Sequence, residues 1–182
     1  MYIPTPPYQW GSYFCVHTGA RGLASRGPAG VDARSRAGER RMHRIDCLQY
    51  CNWSEKIFHE LRAGGVDAVH VTIAYHETFR EAVANLEAWN RRFERHPELI
   101  RRVRSGEDVR RARAEGRTGV VFGFQNPSPI EDDIGLVEIW HDLGVRFMQL
   151  SYNNQSLLAT GCYEAEDPGL TRMGREVIAE RT

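Results

Sequence analysis

Polar side chains able to do chemistry gather at a few points of this chain. Gln125 and Asn126 close the apolar run Thr118-Gly-Val-Val-Phe-Gly-Phe124, and Tyr152, Asn153 and Asn154 follow a second run, Val145 to Ser151. His70 lies within the run Val66 to Ala74, and His76 lies just past it. Amide, phenol and imidazole groups at such places suit hydrogen bonding to a small polar ligand. The asparagines suit loop capping and turns equally well. His70 and His76 share a face with Thr72, opposite Val69, Val71 and Ile73, so both a pocket-lining and a structural role are open. Cys47 and Cys51 could form a thiolate pair, but three intervening residues do not match a tight zinc-knuckle spacing. Cys47 is also out of phase with Asp46, Leu48 and Tyr50. A nucleophilic cysteine would further need a nearby base and a lowered pKa.

These residues need elements to position them, and the pattern is βα. Thr118 to Asn126 is a short apolar stretch between a charged helical segment and a Pro-rich turn, as expected of a strand buried on both faces. Upstream, Arg44 to Tyr50 reads as a first strand. Asn52 or Ser54 can cap the helix that follows, with Ile57, Phe58 and Leu61 as its buried stripe and Gly64-Gly65 as its stop. Val66 to Ala74 is a second strand. A long helix is expected from about Glu77 to Arg95, with Phe79, Val83, Leu86, Trp89 and Phe93 at spacings of three and four. A short helix is expected after His96-Pro97. Another is expected through Ala114, opened by the capping-box-like Ser105-Gly-Glu-Asp108. Thr118 to Asn126 is then the third strand. Asp132 to Leu143 is a helix facing inward through Ile134, Val137 and either Ile139 or Trp140. Val145 to Ser151 is the fourth strand, a polar loop runs through Pro168, and a last helix spans Thr171 to Arg181. Four strands alternating with helices predict parallel βαβ units.

Composition narrows the function. The chain has 182 residues, with 24 basic and 24 acidic side chains, so no strong field favours nucleic acid or an anionic membrane. Lys56 is the single lysine. Cys15, Cys47, Cys51 and Cys162 are too few and too scattered for a disulfide framework. No apolar run is long enough to span a bilayer, and no segment resembles a signal peptide. A reduced, cytoplasmic setting is expected. Residues 1–41, rich in Gly, Pro, Ser, Ala and Arg, read as a disordered tail or a non-native extension, with Met42 as the natural start.

Several segments, in order, resemble the membrane (renal) dipeptidase family of metal-dependent amidohydrolases. They are Gly123-Phe-Gln-Asn126, His96-Pro-Glu-Leu-Ile100 with the Ser105-Gly-Glu-Asp-Val109 and Ala114-Glu-Gly-Arg117 runs after it, Leu143 to Asn154, and Gly169-Leu-Thr-Arg-Met-Gly-Arg-Glu-Val-Ile178. The resemblance covers nearly all of residues 42–181. It implies a TIM-type (β/α)₈ barrel, present here as an N-terminal half barrel, because a complete one needs roughly 250 residues. It also implies hydrolysis of small amide or peptide bonds.

In the family, a histidine and an aspartate at the end of the first strand bind metal, and a strand-end glutamate bridges two zinc ions. The matching positions here are Leu48, Tyr50 and Gln125, and the substrate-holding histidine corresponds to Tyr152. The remaining histidine ligands fall on later strands, beyond Thr182. Zinc needs charged or imidazole ligands and an open position, so no metal and no cofactor is expected for this chain. Gln125, Tyr152, Asn153, His70 and His76 are the expected substrate-binding residues, for a small polar or dipeptide-like ligand. Two other roles stay open: a divergent, metal-independent enzyme acting on a small polar metabolite, and a non-catalytic binding or regulatory homologue. Unpaired strand edges of a half barrel are expected to favour self-association.

Overall fold

The alternation of Val69, Val71 and Ile73 with His70 and Thr72 sorts a central strand into two faces, and the molecule is laid on both. In the computed structural model, which describes residues 42–180, the elements are β1 (Ile45–Gln49), α1 (Glu55–Ala63), β2 (Ala68–Ala74), α2 (Phe79–Arg95), β3 (Ile100–Val103), α3 (Gly106–Ala114), β4 (Thr118–Phe124), a 3-10 turn (Ser128–Ile130), α4 (Leu136–Asp142), β5 (Val145–Met148) and α5 (Arg172–Glu180). All four strand pairings are parallel. The order runs β1-β2-β4, and β4 then pairs with β3 through its first half and β5 through its second. The expectations for residues 1–41 lie outside the described residues.

Five strands stand where four were expected, because Ile100–Val103 is strand β3 rather than a short helix. The free edge of β4 supplies its hydrogen bonds, with Ile100 opposite Thr118 and Val103 opposite Val121. Ile100 and Val103 are buried. Arg102 lays its guanidinium over the Phe122 and Phe93 rings, so its stem counts as apolar surface. The expected fourth strand is shorter, ending at Met148. The helix expected from Asp132 begins only at Leu136, since Asp133 and Gly135 form a turn in which the Gly135 N–H donates to Asp133 Oδ1 at 2.9 Å.

Helix ends follow local chemistry. Thr78 caps α2 in a reciprocal box with Glu81, its hydroxyl accepting from the Glu81 N–H and the Glu81 carboxylate accepting from the Thr78 N–H. This moves the start of α2 from the expected Glu77 to Phe79. Ser105 caps α3 as expected, accepting from the Asp108 N–H. Ser54 holds the N-cap position of α1 without a side-chain cap.

On the helix side, Val69, Val71, Ile73, Val120 and Phe122 meet Phe58 of α1, Leu86 and Trp89 of α2 and Trp140 of α4 in one core. On the other face, the floor is a small cluster of Ala68, Val103, Val109 and Val121. Above it lie His70, Gly123 and Phe147, whose contacts are described next.

Three of the ladders slip at nearly one level, toward the carboxyl ends of the strands. The shift falls between Asp46 and Gln49 in β1, between Thr72 and Ala74 in β2, and between Val145 and Phe147 in β5. Each inserts a residue on one strand, which reverses the side on which later residues of that strand stand. Val145 is therefore buried in the helix-side core, while Phe147, two residues on, stacks on His70 across the sheet.

Candidate functional site

Each strand in the β1-β2-β4 row ends in a polar or aromatic side chain that a register shift or the plain alternation brings to the same mouth. Gln125 follows β4 directly and is 7 % exposed; its Nε2 donates to Thr72 Oγ1 at 2.7 Å. Tyr75 follows β2. Unbroken alternation would aim it at the helices with Val71 and Ile73, but the shift after Thr72 turns it toward Gln125 and Thr72. Tyr50 follows β1 and packs edge-on against Tyr75, with ring centres 5.1 Å apart. Tyr152, in the loop after β5, lies 5.6 Å from Tyr75 and 6.0 Å from His76.

The Tyr75 phenol is pushed far above its usual value, first by burial and then by its neighbours Tyr50 and Tyr152; hydrogen bonds with Gln125 and Thr72 act the other way. It stays protonated at all physiological pH and serves as a hydrogen-bonding group, not a base. The Glu77 carboxylate is tied to the loop, accepting from the backbone N–H groups of Tyr75 and His76 at 2.6 and 3.0 Å.

His70 stands one layer deeper. Its Nδ1 donates to the Cys47 carbonyl at 2.6 Å, inside the β1 shift, and its ring lies 4.8 Å from that of Phe147. Burial holds its pKa below the usual imidazole value, against the smaller opposing effects of Cys47 and Asp46. A neutral ring with Nδ1–H leaves Nε2 as an acceptor, and that atom has no hydrogen-bond partner among the described residues. It faces Gly123, where any Cβ would overlap the ring.

The structure thus brings Gln125 and Tyr152 together around Tyr75, joins His76 to them through Tyr152, and places His70 beneath. Asn153 is used elsewhere: its carbonyl accepts from the Tyr163 N–H at 2.8 Å, and its side chain meets Cys162 Sγ at 3.8 Å. Neither Tyr75 nor Thr72 was among the substrate-binding residues expected from the sequence. The available signal was position, since Tyr75 follows β2 as Gln125 follows β4.

The positions that resemblance assigns to metal are Leu48, Tyr50 and Gln125. Leu48 is 50 % and Tyr50 64 % exposed. A hydrocarbon, a neutral phenol and an amide already bonded to Thr72 do not fit a zinc pair. Among the described residues, no three His, Cys, Asp or Glu side chains converge as a metal site requires. None of the described helices is long and apolar enough to cross a membrane.

The profile of the family described as "Membrane dipeptidase (Peptidase family M19)" matches residues 48–181. The chain belongs to the membrane dipeptidase family. Among solved structures, an amidohydrolase from Pseudomonas aeruginosa is 40 % identical, with a TM-score of 0.71 over 76 % of this chain and 42 % of that one. The probable dipeptidase PvdM from Pseudomonas aeruginosa is 16 % identical, with a TM-score of 0.65 over 77 % of this chain and 44 % of its own. A dipeptidase AC, described as a metallopeptidase of family M19, is 16 % identical, with a TM-score of 0.63 over 76 % and 53 %. The last two speak to fold alone. This membrane dipeptidase relative spans about half the length of the solved structures it matches. Its parallel βα units are the expected barrel type, seen over that part.

Proposed function

We propose that the protein is a hydrolase of the membrane dipeptidase kind, acting on small amide-bonded molecules, and that the described unit forms the substrate-binding wall of its mouth. The observation that carries this is the convergence of Gln125, Thr72, Tyr75 and Tyr152 at the carboxyl ends of β2 and β4, where α/β barrels hold their ligands. In this reading the Gln125 amide and the Tyr75 hydroxyl hydrogen-bond the peptide group of a dipeptide-like ligand, and the Tyr152 ring covers its planar face. Neither group is charged, so the ligand is held by hydrogen bonds and stacking. The donor set at Leu48, Tyr50 and Gln125 supports a site without the family's two zinc ions. The free thiols Cys47 and Cys162 are compatible with a reducing, cytoplasmic setting, and neither nucleic acid nor membrane is a partner in this reading.

The test combines binding with turnover on the full chain. A panel of dipeptides is expected to raise the unfolding midpoint of the wild type, and Tyr75→Phe and Gln125→Leu are expected to abolish the rise. Zinc is expected to add nothing to binding or hydrolysis. Two tightly held zinc ions per chain would overturn the metal-free site, and dipeptide binding that survives both substitutions would overturn the placement of the wall. The uncharged donor set favours a second reading, a binding homologue without catalysis. Saturable dipeptide binding with no product at any metal concentration would select it.

A further inference from the structure

Away from the mouth, at the amino-terminal ends of β3 and β4, a cavity of about 510 Å³ opens between α2 and β3 and holds four arginines, Arg91, Arg101, Arg102 and Arg117. The carboxylates beside them are already engaged. Glu94 accepts from Arg91 at 2.7 Å. Glu115 takes both Arg101, at 2.9 Å, and Arg117. Asp108 also acts on Arg101 and Arg104 on Arg102, so five arginines face three carboxylates and two positive charges remain in excess.

Arg102 is the centre of that imbalance. It is half-buried, and no carboxylate pairs with it among the described ion pairs. Its Nη2 donates to Asn90 Oδ1 at 3.0 Å, and its buried Nε has no hydrogen-bond partner among the described residues. The Phe122 and Phe93 rings accept the flat face of its guanidinium, at 4.7 and 5.8 Å. A ring face cannot receive the in-plane N–H groups, so the stacking fixes the fork without satisfying it. Burial, and then the neighbouring Arg104, lower the pKa of this side chain.

We propose that this cavity is an oxyanion site for a phosphate-type dianion, either free phosphate or the phosphoryl group of a small metabolite, with Arg102 as its central donor. A phosphate carries about −1.5 to −2 charges near pH 7, which matches the excess. Guanidinium forks bind such oxygens two at a time. Nothing in this site depends on the mouth or its ligand.

The experiment titrates inorganic phosphate into the full chain at ionic strength held constant with sodium chloride, reading the unfolding midpoint and the ³¹P line width. Acetate and glucose 6-phosphate form parallel arms. Phosphate is expected to raise the midpoint saturably, and acetate at the same concentration to do less. Arg102→Gln should weaken phosphate binding by about tenfold or more. Arg102→Lys keeps the charge but loses the fork, and should fall between. A stronger response to glucose 6-phosphate assigns the site to a phosphorylated metabolite, and an equal one to free phosphate. If Arg102→Gln does not fold, the ³¹P titration of the wild type and of Arg102→Lys decides. A phosphate response no larger than that of chloride, or one unchanged in either Arg102 variant, overturns the proposal.

Discussion

Gly123 and His70 occupy one space, so each limits what the other position can be. A methyl group at 123 would overlap the His70 ring and come within 2.7 Å of Phe147 Cβ. Gly123→Ala is expected to cost about 1–3 kcal/mol in chemical denaturation, as overpacking does. His70 also gives the molecule a pH dependence. Its folded pKa lies below the ordinary 6.5, so the unfolded chain takes up a proton first as the pH falls. Stability should decline as pH drops below about 6.5 and go on declining until the folded value is passed. His70→Asn, which keeps a donor near Nδ1, should flatten that slope in urea midpoints measured from pH 7.5 to 5. Gln125 was legible because plain alternation along β4 carries a polar residue to a strand end. Tyr75 was not. The same alternation assigns it to the helix face, and only the extra residue in β2 turns it round.

Among the elements, α2 carries the clearest signals and β3 the faintest. Phe79, Leu86, Trp89 and Phe93 recur at helical spacing, although the start expected near Glu77 missed the capping box Thr78-Phe-Arg-Glu81. Thr78→Ala should therefore cost about 1 kcal/mol and lower the thermal midpoint, while leaving the mouth intact. In β3, the run Ile-Arg-Arg-Val has neither the alternation of a strand nor the length of a helix. It becomes a strand because β4 offers an unpaired edge and because aromatic rings take up the Arg102 stem. Those are tertiary causes, which no window of local sequence contains.

At the scale of the described unit, the sheet face under the helices is buried in the core and the other face is partly bare. Ile45 and Leu48 on β1 are each 50 % exposed, and Phe147 on β5 is 44 % exposed. Apolar side chains at both ends of a parallel sheet favour association. The full chain is expected to bind a hydrophobic dye and to show a concentration-dependent mass in sedimentation, and Leu48→Glu with Phe147→Glu should reduce both. A strictly monomeric chain that ignores the dye would contradict this. The three ladder shifts have a separate consequence for how such a protein can diverge. Below them, each side chain's direction is locked to the core, because the helices reject any change of phase. Above them, the phase of β1, β2 and β5 has already been reset, so the residue that follows the strand, such as Tyr50 after β1, can be exchanged without turning the side chains beneath. The mouth is in effect a graft on a stock that does not sense what is grafted; deletion of the extra residue Arg146 would make the β5 ladder regular and leave Phe147 opposite Gly123, on the face it occupies now.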